Sequence, residues 1–489
     1  MLWLALHLPL LPLEVFTRGG QSPSNAQAIA ITSSVESSAT VVAVNRPAQA
    51  CGVIAGMSVS VACTLASNLH TLARDVAKEN ATLSRIAAWS LQFTSFVSIA
   101  VSGEILLEIE GSLKLFGGLT RLHQHITRSV ADLGFNASIA CAPTPLAAQW
   151  FARSRMNLRV QHHDALRHAL EKLPAALLCD NETTRNLLEN FGARTIGDCQ
   201  KLPRDGIARR AGQRLLTNLD RALGVSPDPR LPFVAPQTWS AALPLPAPVA
   251  NAEALLFAAR RLLAELCGWL AATGHGVQRP KFEFIHEKQI VTIITLELSS
   301  ATRELDHLTT LLRERLARTE LPCAAIEIAI ASGRVTPLAS RNLTFLPDSA
   351  GQVESASRFV EKINARLGAN AICGLTPHAD YRPERAWRAC QPGFNSSDSA
   401  ASSQIPTLSH TRPLWLLTAP RPLRETNAAP HDDGPLSLLA GPERVEAGWW
   451  DGQHVARDYF VARNKAQSLL WIYRERDITA RWYVHGFFS

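Results

Sequence analysis

The hydrophobic and polar positions in the first third of the chain alternate between two periods. Short apolar runs predict buried strands, and stretches with apolar side chains at helical spacing predict helices between them. The predicted strands are residues 2–8, 27–32, 40–44, 135–142 and a pair within 98–111 that turns at Ser102–Gly103, and the predicted helices are 75–92 and about 118–133. Strands that alternate with helices in this way indicate an α/β domain.

A second set of elements follows a helical stretch at residues 174–224. Between the two, residues 227–248 hold seven prolines, which predicts a linker. The elements predicted beyond it are a strand at 238–245, a helix at 251–270, a hairpin of 281–286 with 290–298, a helix at 305–317 and a strand at 324–331. This β-α-β-β-α-β order is typical of a compact split βαβ unit.

The last hundred residues change character twice. Residues 391–410 are rich in serine and poor in large apolar side chains, which predicts a disordered linker. A short apolar island, TRPLWLL at 411–417, breaks this segment, and a second polar stretch follows at 424–435. The tail at 440–489 is dense in aromatic residues, and its alternation predicts a small antiparallel sheet in which most of the rings form a core.

Composition narrows the class of protein. A chain of 489 residues favours three or four domains. The formal net charge of +7 is compatible with a nucleic-acid partner without requiring one. Nine scattered cysteines without a CxxC pair indicate reduced thiols of a cytosolic protein, not a disulfide framework or a zinc finger.

The first apolar run raises the question of targeting. It has no Lys or Arg before it and no small-residue cleavage site, both of which a signal peptide needs. It is also too short to span a bilayer, and no later stretch reaches about 18 uncharged apolar residues. We therefore expect a cytoplasmic protein without a membrane partner, and a buried strand at residues 2–8.

Four motifs stand out along the chain. They are AQACGVIAGMSVSVA (48–62), EILLEIEGSLKLFGG (104–118), FGARTIGDCQKLP (191–203) and GPERVEAGWWDGQHVARDYFVAR (441–463). In this order they resemble the Y-family DNA polymerases, more specifically the ImuB branch, polymerase-like proteins of a bacterial mutagenesis cassette. The first is similar to the fingers signature of the family, the second lies at the place of the second palm motif, the third is similar to the thumb motif, and the fourth is similar to the ending of the ImuB branch.

The resemblance implies an α/β multidomain protein with the right-hand architecture of palm, fingers, thumb and little finger, followed by a C-terminal tail module. The implied segments are a palm at 1–16 and 71–165, fingers at 17–70, a helical thumb with a helix-hairpin-helix at 166–230, a little finger at 235–350, a flexible linker with a clamp-binding motif at 391–435, and an aromatic-rich module at 436–489.

Metal-binding carboxylates of the family are missing from this chain. In active members the first palm strand ends in D-x-D, and those carboxylates help to hold two Mg²⁺ ions that activate the primer hydroxyl and neutralise the triphosphate. Here His7 and Pro9 stand at those positions, and Gly103 replaces the Asp of the second motif, so that Glu104 is the residual carboxylate. Imidazole is a poor ligand for Mg²⁺, and proline offers no side-chain oxygen.

The implied nucleotide pocket is depleted as well. Arg46 and Gln49 match the Tyr and Arg with which the family grips the triphosphate, and the segment PTPLAA (143–148) lacks the phosphate-contacting Lys. Because phosphoryl transfer depends almost entirely on electrostatic positioning, these losses predict a catalytically inactive homologue without a cofactor. Two alternatives stay open: an active translesion polymerase that uses Mg²⁺ on an unusual set of Glu14, Glu104 and Glu108, and a protein scaffold without DNA contact.

The thumb motif retains features that favour DNA binding. The turn Gly192–Gly197 would let backbone N–H groups approach a phosphate, and residues 191–221 carry seven basic against three acidic side chains. Such contacts are independent of base sequence and sensitive to salt. The candidate DNA-binding residues are Gly192, Arg194, Thr195, Gly197, Lys201, Arg204, Arg209, Arg210 and Arg214, with Arg221 as a further cation.

Two further segments have candidate partners. The split βαβ unit would lay its sheet on the DNA backbone, with Lys281, His286, Lys288 and Arg303 as its few cations. The apolar island matches the leucine–aromatic pair of sliding-clamp ligands through Pro413, Leu414, Trp415 and Leu416. A group of His162, His163, Asp164 and His168 is interpreted as a solvated helix face and not as a metal site.

The resemblance implies a role in translesion synthesis and in mutagenesis induced by DNA damage in the SOS response. The partners it implies are DNA, the sliding clamp, an error-prone DnaE-type polymerase and the RecA-like accessory protein ImuA. Its expected location is the cytoplasm at the nucleoid. The chain would act as an adaptor that tethers these partners and raises the local concentration of the working polymerase.

Overall fold

The computed structural model describes residues 1–20, 27–33, 39–101, 103–179, 181–287, 290–338, 349–368, 371–390, 412–478 and 480–488. It divides into two compact units, Met1–Leu346 and Pro347–Ser489. Both units combine helices with sheets, which confirms the α/β multidomain class predicted from the sequence. Within the described ranges, no helix is long and apolar enough to cross a bilayer.

A four-stranded antiparallel sheet lies at the centre of the first unit. Its strands are β1 (Trp3–His7), β5 (Val97–Ile99), β6 (Ile105–Glu108) and β7 (Ser138–Ala142), in the order β5-β6-β1-β7. Helices α1 (Leu11–Thr17), α4 (Val76–Ser90), α5 (Leu119–Asp132) and α6 (Pro145–Arg153) accompany it.

Strand β1 is apolar throughout because both faces of this sheet are covered. Leu4 and Leu6 belong to a core with α4 and α5, whereas Trp3 and Ala5 belong to a second core with α6. Side chains alternate between the two faces of a strand, so a sheet buried on both sides needs a continuous apolar run. His7 ends the run on the side of α6.

A small sheet occupies residues 27–73. Strands β2 (Ile29–Thr32), β3 (Val41–Val44) and β4 (His70–Ala73) are in the order β3-β2-β4, with helices α2 (Arg46–Ala50) and α3 (Val59–Leu65). The side chain of Asn45 caps α2 by accepting a hydrogen bond from the Ala48 N–H. Ser58 caps α3 in the same way. Strand β4 and helix α1 were not predicted from the sequence.

Five helices follow the first sheet. They are α7 (His163–Glu171), α8 (Glu182–Asn190), α9 (Ile196–Lys201), α10 (Arg204–Ala211) and α11 (Gln213–Leu223). Their apolar faces share the core that covers the α6 side of the sheet, through residues such as Leu170, Ile196 and Leu219.

The split unit comprises residues 240–331. It contains β8 (Ser240–Val249), α12 (Ala252–Thr273), β9 (His275–Val277), β10 (Lys281–His286), β11 (Val291–Thr295), α13 (Leu305–Leu316) and β12 (Ala325–Ala331). The main sheet has the order β11-β10-β12-β8, as expected for a split βαβ unit, and β9 pairs with β13 (Val335–Pro337).

The proline-rich stretch at 227–248 is only partly a linker, and its second half forms β8. Pro244, Pro246 and Pro248 lie in this strand, which pairs on one side only, with β12. Proline lacks an N–H and is tolerated on such an edge strand. The strand predicted at 238–245 is thus confirmed as part of β8, and the overlapping linker prediction was wrong for residues 240–248.

The split unit is attached to the first sheet through helix α12. Gly268 lies so close to α4 that an added Cβ atom would be 2.1 Å from Cδ1 of Trp89. Beside it the fully buried Glu265 accepts hydrogen bonds from Arg18 and, at 3.1 Å, from Arg85. These arginines hold the pKa of Glu265 below its usual range, although burial alone would raise it.

The second unit begins with α14 (Ser349–Leu367) and a hairpin of β14 (Gly374–Pro377) and β15 (Trp387–Cys390). A five-stranded antiparallel sheet follows, in the order β16-β22-β21-β20-β19. Its strands are β16 (Trp415–Pro422), β19 (Ser437–Ala447), β20 (Val455–Arg463), β21 (Leu469–Glu475) and β22 (Trp482–Phe487), and β17 (Arg424–Thr426) pairs with β18 (Ala429–His431).

Both faces of this sheet are covered by side chains. Leu470, Ile472 and Trp482 form one core, and Tyr459 and Trp471 lie in the other. The aromatic tail is therefore largely a β-core, as expected.

The boundary of the tail module differs from the prediction. Residues 415–431 form strands β16, β17 and β18, so the sheet begins at Trp415 and not at 436. The linker was inferred from polar composition, but β16 pairs with the distant β22, which a local pattern does not reveal. The rest of the predicted linker, residues 391–411, lies outside the described residues.

Candidate functional site

His7 and Glu104 meet at one end of the first sheet. Leu6 pairs with Ile105 in the antiparallel register of β1 and β6, which brings the next residue of β1 beside the residue that precedes β6. Nδ1 of His7 lies 3.3 Å from Oε1 of Glu104. Both side chains are on the face that α6 covers, where the side chain of Glu104 is only 1% exposed.

Helix α6 supplies the principal partners of Glu104. Nε of Arg153 donates to Oε1 at 2.5 Å and Nη2 donates to Oε2 at 3.0 Å, which is a bidentate guanidinium–carboxylate pair. Nε2 of Gln149 donates to Oε2 at 3.2 Å. Both carboxylate oxygens of Glu104 are therefore bound by protein donors.

Gly103 closes the turn between β5 and β6. Its backbone has a φ of +89°, and its N–H donates to the carbonyl of Ala100 at 2.9 Å. This left-handed conformation favours glycine over any residue with a side chain. Pro9 lies in the turn between β1 and α1. Neither position offers a carboxylate, so Glu104 is the acidic side chain of this site.

The donor set does not fit a pair of Mg²⁺ ions. Mg²⁺ requires several hard oxygen ligands in octahedral geometry, whereas this site combines one carboxylate with an imidazole and a guanidinium cation. Arg153 donates to both oxygens of Glu104, which are the atoms that a metal ion would need as ligands. Across the described ranges, no group of three or more His, Cys, Asp and Glu side chains is arranged to hold a metal.

The alternative carboxylate set is not brought together around Glu104. Glu108 lies opposite Trp3, at the other end of β6, about 13 Å away along the strand. Its Oε1 accepts from the N–H groups of Leu2 and Glu110.

Glu14 has a separate environment on α1. Its Oε1 accepts from the backbone N–H and the side chain of Asn136, at 2.9 and 2.6 Å. Burial raises the pKa of Glu14, against the lowering effect of these hydrogen bonds and of Arg18.

The residues that match the triphosphate grip lie on short elements. Arg46 and Gln49 are exposed on α2. Residues 143–148 form the start of α6, where Thr144 is the N-cap and Ala147 and Ala148 are buried. The structure thus gives the PTPLAA segment a role in packing.

The turn between α8 and α9 uses several of its own N–H groups internally. The N–H groups of Arg194 and Thr195 donate to Oδ2 of Asp198 at 3.3 and 3.0 Å, and that of Gly192 donates to Glu189. Gly197 packs against the end of α7, since an added Cβ would lie 3.0 Å from the Glu171 carbonyl. The expected contact of a phosphate with these N–H groups therefore disagrees with the observed hydrogen bonds.

The cations of α9–α11 differ in their surroundings. Arg204 pairs with Asp220 at 2.6 Å, Lys201 lies 3.8 Å from Asp198, and Arg210 lies over the ring of Phe191. Arg194, Arg209 and Arg214 are exposed to solvent, and Arg221 is partly buried. A phosphate at this surface would therefore contact side chains and not the backbone of the turn.

The open face of the split unit is not basic. Lys281 is paired with Glu283 at 2.7 Å, and Glu327 of β12 and Ile293 and Val291 of β11 share that face. His286 is fully buried on the other face, and Arg303 is exposed. Lys288 lies outside the described residues. The expected grip of this sheet on the DNA backbone has little charge to support it.

The clamp-binding candidate lies at the start of edge strand β16. Leu414 and Trp415 are 91% and 72% exposed, whereas Leu416 and Leu417 pack against the two cores of the sheet. Pro413 lies against Gly486. The leucine–aromatic pair is thus presented outward while the residues after it anchor the strand.

The histidine group at the start of α7 is a helix surface. His162 is the residue before the helix, and His168 lies 3.6 Å from Glu171 one turn later.

Sequence reasoning missed Arg153 and Gln149. They lie 49 and 45 residues from Glu104 along the chain, and only the packing of α6 on the sheet brings them to it. The available signal was the single cation of a largely apolar helix, PLAAQWFAR, since a lone cation beside a core needs a buried partner.

Comparisons with known proteins agree with the motifs. Residues 24–153 match the model of the impB/mucB/samB family. Protein ImuB of Caulobacter vibrioides (strain NA1000 / CB15N) is 26% identical over 465 residues, which is 90% of this chain and all of that protein. The resemblance to ImuB that the sequence motifs suggested is confirmed.

Two solved structures are similar at lower identity. The insertion ternary complex of Dbh DNA polymerase is 15% identical with a TM-score of 0.39, and covers 68% of this chain and 98% of its own. DinB from Sulfolobus solfataricus is 14% identical with a TM-score of 0.39, and covers 69% of this chain and all of its own.

Proposed function

We propose, from the premise that this chain is an ImuB-like homologue with an impB/mucB/samB-family segment, that it is a non-catalytic adaptor in translesion DNA synthesis. In this role it binds DNA and the sliding clamp, and it recruits an error-prone DnaE-type polymerase and an ImuA-like accessory protein. Residues 1–16 and 71–165 act as the palm, 17–70 as the fingers, 166–230 as the thumb and 235–350 as the little finger.

One observation carries the proposed loss of catalysis: the residual palm carboxylate is neutralised by the protein itself. Arg153 and Gln149 donate to both oxygens of Glu104, and His7 lies against it. Two-metal phosphoryl transfer needs several negative oxygen ligands, and its rate comes almost entirely from electrostatic positioning. A carboxylate held by a guanidinium supplies neither the charge nor the open coordination positions.

DNA binding by the thumb is proposed on side-chain charge alone. The exposed cations Arg209, Arg210 and Arg214 lie on α10 and α11, and Arg194 lies in the turn before α9. Contacts of this kind release counterions from the DNA and weaken steeply with salt. They hold a duplex without choosing its sequence, which suits an adaptor at lesions of any context.

A primer–template binding assay tests this surface. Arg209→Ala with Arg210→Ala is expected to weaken binding severalfold and to reduce the slope of log Kd against log salt by about two. Arg313→Ala with Arg315→Ala is the matched control, because it removes the same charge from the last turn of another helix, α13. An equal effect of both pairs would show that net charge, and not the thumb, holds the DNA.

Clamp binding is proposed for the exposed pair at the start of β16. Leu414→Ala with Trp415→Ala is expected to abolish retention of the chain on immobilised sliding clamp. The control is Leu438→Ala with Leu439→Ala, which truncates two half-exposed leucines on β19, the opposite edge strand of the same sheet. Retention that survives the first pair would place the clamp contact elsewhere.

The tethering mechanism follows from several weak contacts on one chain. Linked modules convert each later binding event into an intramolecular one with a high effective concentration. The working polymerase would then stay near the primer end without any chemistry by the adaptor. Recruitment of that polymerase and of the accessory protein rests on the similarity to ImuB.

A further inference from the structure

A cavity of about 350 Å³ lies in the second unit, between the segment 378–388 and the loop 450–451. Charged side chains and two indoles line it. The lining residues are His378, Asp380, Arg382, Glu384, Arg385, Trp387, Arg388, Trp450 and Asp451. Neither the palm site nor the clamp-binding candidate uses any of them.

The floor of the cavity is a rigid network of ion pairs. Arg382, almost fully buried, donates to both carboxylate oxygens of Asp380 and to both of Asp451. Arg382 holds the pKa of Asp451 at about 2. The network ties the turn at 380–385 to the loop at 450–453, so the walls of the cavity are formed before any ligand arrives.

The rim carries aromatic surface that the fold does not bury. Trp387 is 50% exposed and Trp450 is 57% exposed, and Trp449 stands against Trp450 with ring centroids 5.5 Å apart. The second unit buries Trp471 and Trp482 in its cores, so exposure is not general for its indoles. An exposed cluster of large aromatic rings is typical of a binding surface.

A guanidinium at the rim is available to an anion. Arg382 and Arg385 face carboxylates, whereas Nη2 of Arg388 lies 2.9 Å from Nε2 of His378. Guanidinium only donates, so this histidine nitrogen is the acceptor of the contact. Arg388 and Trp387 are both exposed residues of the cavity lining.

These features favour a nucleobase over an apolar peptide side chain. An aliphatic group placed on the floor would desolvate the ion pairs without giving hydrogen bonds in return. A base offers a flat face to the indoles and polar edges to the floor, and its phosphate reaches the guanidinium at the rim. Paired and stacked bases of a duplex do not present their faces.

We propose that this cavity, the Trp387–Trp450 pocket, binds unpaired bases of single-stranded DNA, with Trp387 and Trp450 as stacking surfaces and Arg388 as a phosphate contact. Stacking of bases on aromatic side chains depends little on the base sequence. The salt dependence of such binding comes from the phosphate contacts. The inference rests on the proposed function only for bringing the chain to DNA. The proposed ligand binds within the second unit alone.

The test uses the full chain carrying Arg209→Ala and Arg210→Ala, so that the proposed thumb contact does not mask the pocket. Fluorescence anisotropy with labelled oligothymidine measures the affinity of this parent and of added Trp387→Ala, Trp450→Ala and Arg388→Ala. Each indole truncation is expected to weaken binding on the order of tenfold. Leu438→Ala, which removes another exposed apolar side chain of the same unit, is expected to leave the affinity unchanged.

Two further measurements keep the outcome clear if a variant unfolds. Trp387→Phe retains a stacking surface and is expected to restore most of the affinity lost in Trp387→Ala. An oligonucleotide carrying 5-iododeoxyuridine is expected to cross-link on irradiation to peptides that contain Trp387 or Trp450.

Unchanged affinity in both indole variants, together with cross-links elsewhere, would overturn the proposal. So would a pocket whose variants lose a protein partner while oligothymidine binding persists, because the ligand would then be a polypeptide. Failure of the thumb proposal would be observed in a different assay, which measures primer–template binding by the chain with unchanged pocket residues.

Discussion

Glu104 illustrates how one substituted neighbour changes the role of a carboxylate. The resemblance implies that the matching position in the Y family lies beside metal-binding Asp residues. In this chain, Glu104 lies beside Gly103 and opposite His7. The charge that a metal would balance is balanced by Arg153. The carboxylate has become part of the core of the protein, and its partners should contribute to stability.

Truncation of Arg153 tests that role. Arg153→Met leaves Glu104 buried and charged without its guanidinium, and is expected to lower the free energy of unfolding by about 3 kcal/mol. Glu104→Gln with Arg153→Met is expected to recover part of that loss, because no unpaired charge remains. Urea denaturation of the four forms of this double-mutant cycle measures the coupling, and a coupling of zero would mean that the pair is unimportant.

His485 is a buried titratable side chain in the second unit. Its Nδ1 lies 2.8 Å from the Tyr459 hydroxyl, with Arg457 and Glu384 as its charged neighbours. Burial lowers the pKa of His485 from 6.5 to about 4, while Glu384 acts in the opposite direction and Arg457 in the same one. The folded state therefore binds this proton less readily than the unfolded state.

Stability of the second unit should consequently fall with acidification. Above pH 6.5 the histidine is neutral in both states, and between about 6.5 and 4 only the unfolded state gains the proton, so folding weakens by up to about 1.4 kcal/mol per pH unit. Hydrogen exchange of peptides from β20–β22, corrected for intrinsic rates, measures this slope. It should disappear in His485→Gln and persist in His454→Gln, and an unchanged slope in His485→Gln would assign it to other groups.

Helix α12 decides how the split unit is attached to the rest of the first unit. Its Gly268 allows contact with Trp89, and its Glu265 joins Arg18 and Arg85 without solvent access. The contact of Gly268 with Trp89 and the ion pair of Glu265 with Arg85 both require one relative arrangement of α12 and α4. The attachment is specific because an unpaired Glu265 would be costly to bury.

A single methyl group tests this attachment. Gly268→Ala would place Cβ 2.1 Å from Trp89, and overpacking of this kind is expected to cost about 1–3 kcal/mol in the free energy of unfolding. Gly206→Ala is the matched control, since it lies inside α10 with Pro203 Cβ at 4.0 Å, and it is expected to be neutral or stabilising by up to about 1 kcal/mol. Thermal denaturation of the two variants side by side gives the answer, and equal behaviour would refute the close packing.

Elements were predictable where a pattern was local. The βαββαβ order at 240–331 follows from amphipathic helices and alternating strands, and the turn at Gly103 follows from its glycine. The sequence predicts a linker where β16, β17 and β18 form, because their partners are distant in sequence or their residues are polar. At the candidate site, the residues His7 and Gly103 predict that carboxylates are missing. The pairing of Arg153 with Glu104 could not be predicted, because only tertiary packing joins the two residues.

For the molecule as a whole, the account assigns separate tasks to separate segments. The palm-like segment is proposed to have no catalytic role, the cations of α9–α11 are proposed to hold DNA, and Leu414 and Trp415 are proposed to hold the clamp. None of these tasks requires a nucleotide or a metal ion. The central claim is therefore that the chain does not transfer nucleotides.

Primer extension by the purified full chain tests that claim most directly, with Mg²⁺ and separately with Mn²⁺, on a primer–template to which binding has been verified. The account predicts that wild type and Glu104→Ala both leave the primer unextended at enzyme excess over DNA. Incorporation of nucleotides by the wild type that is lost in Glu104→Ala would contradict it, because the carboxylate bound by Arg153 would then be a working metal ligand.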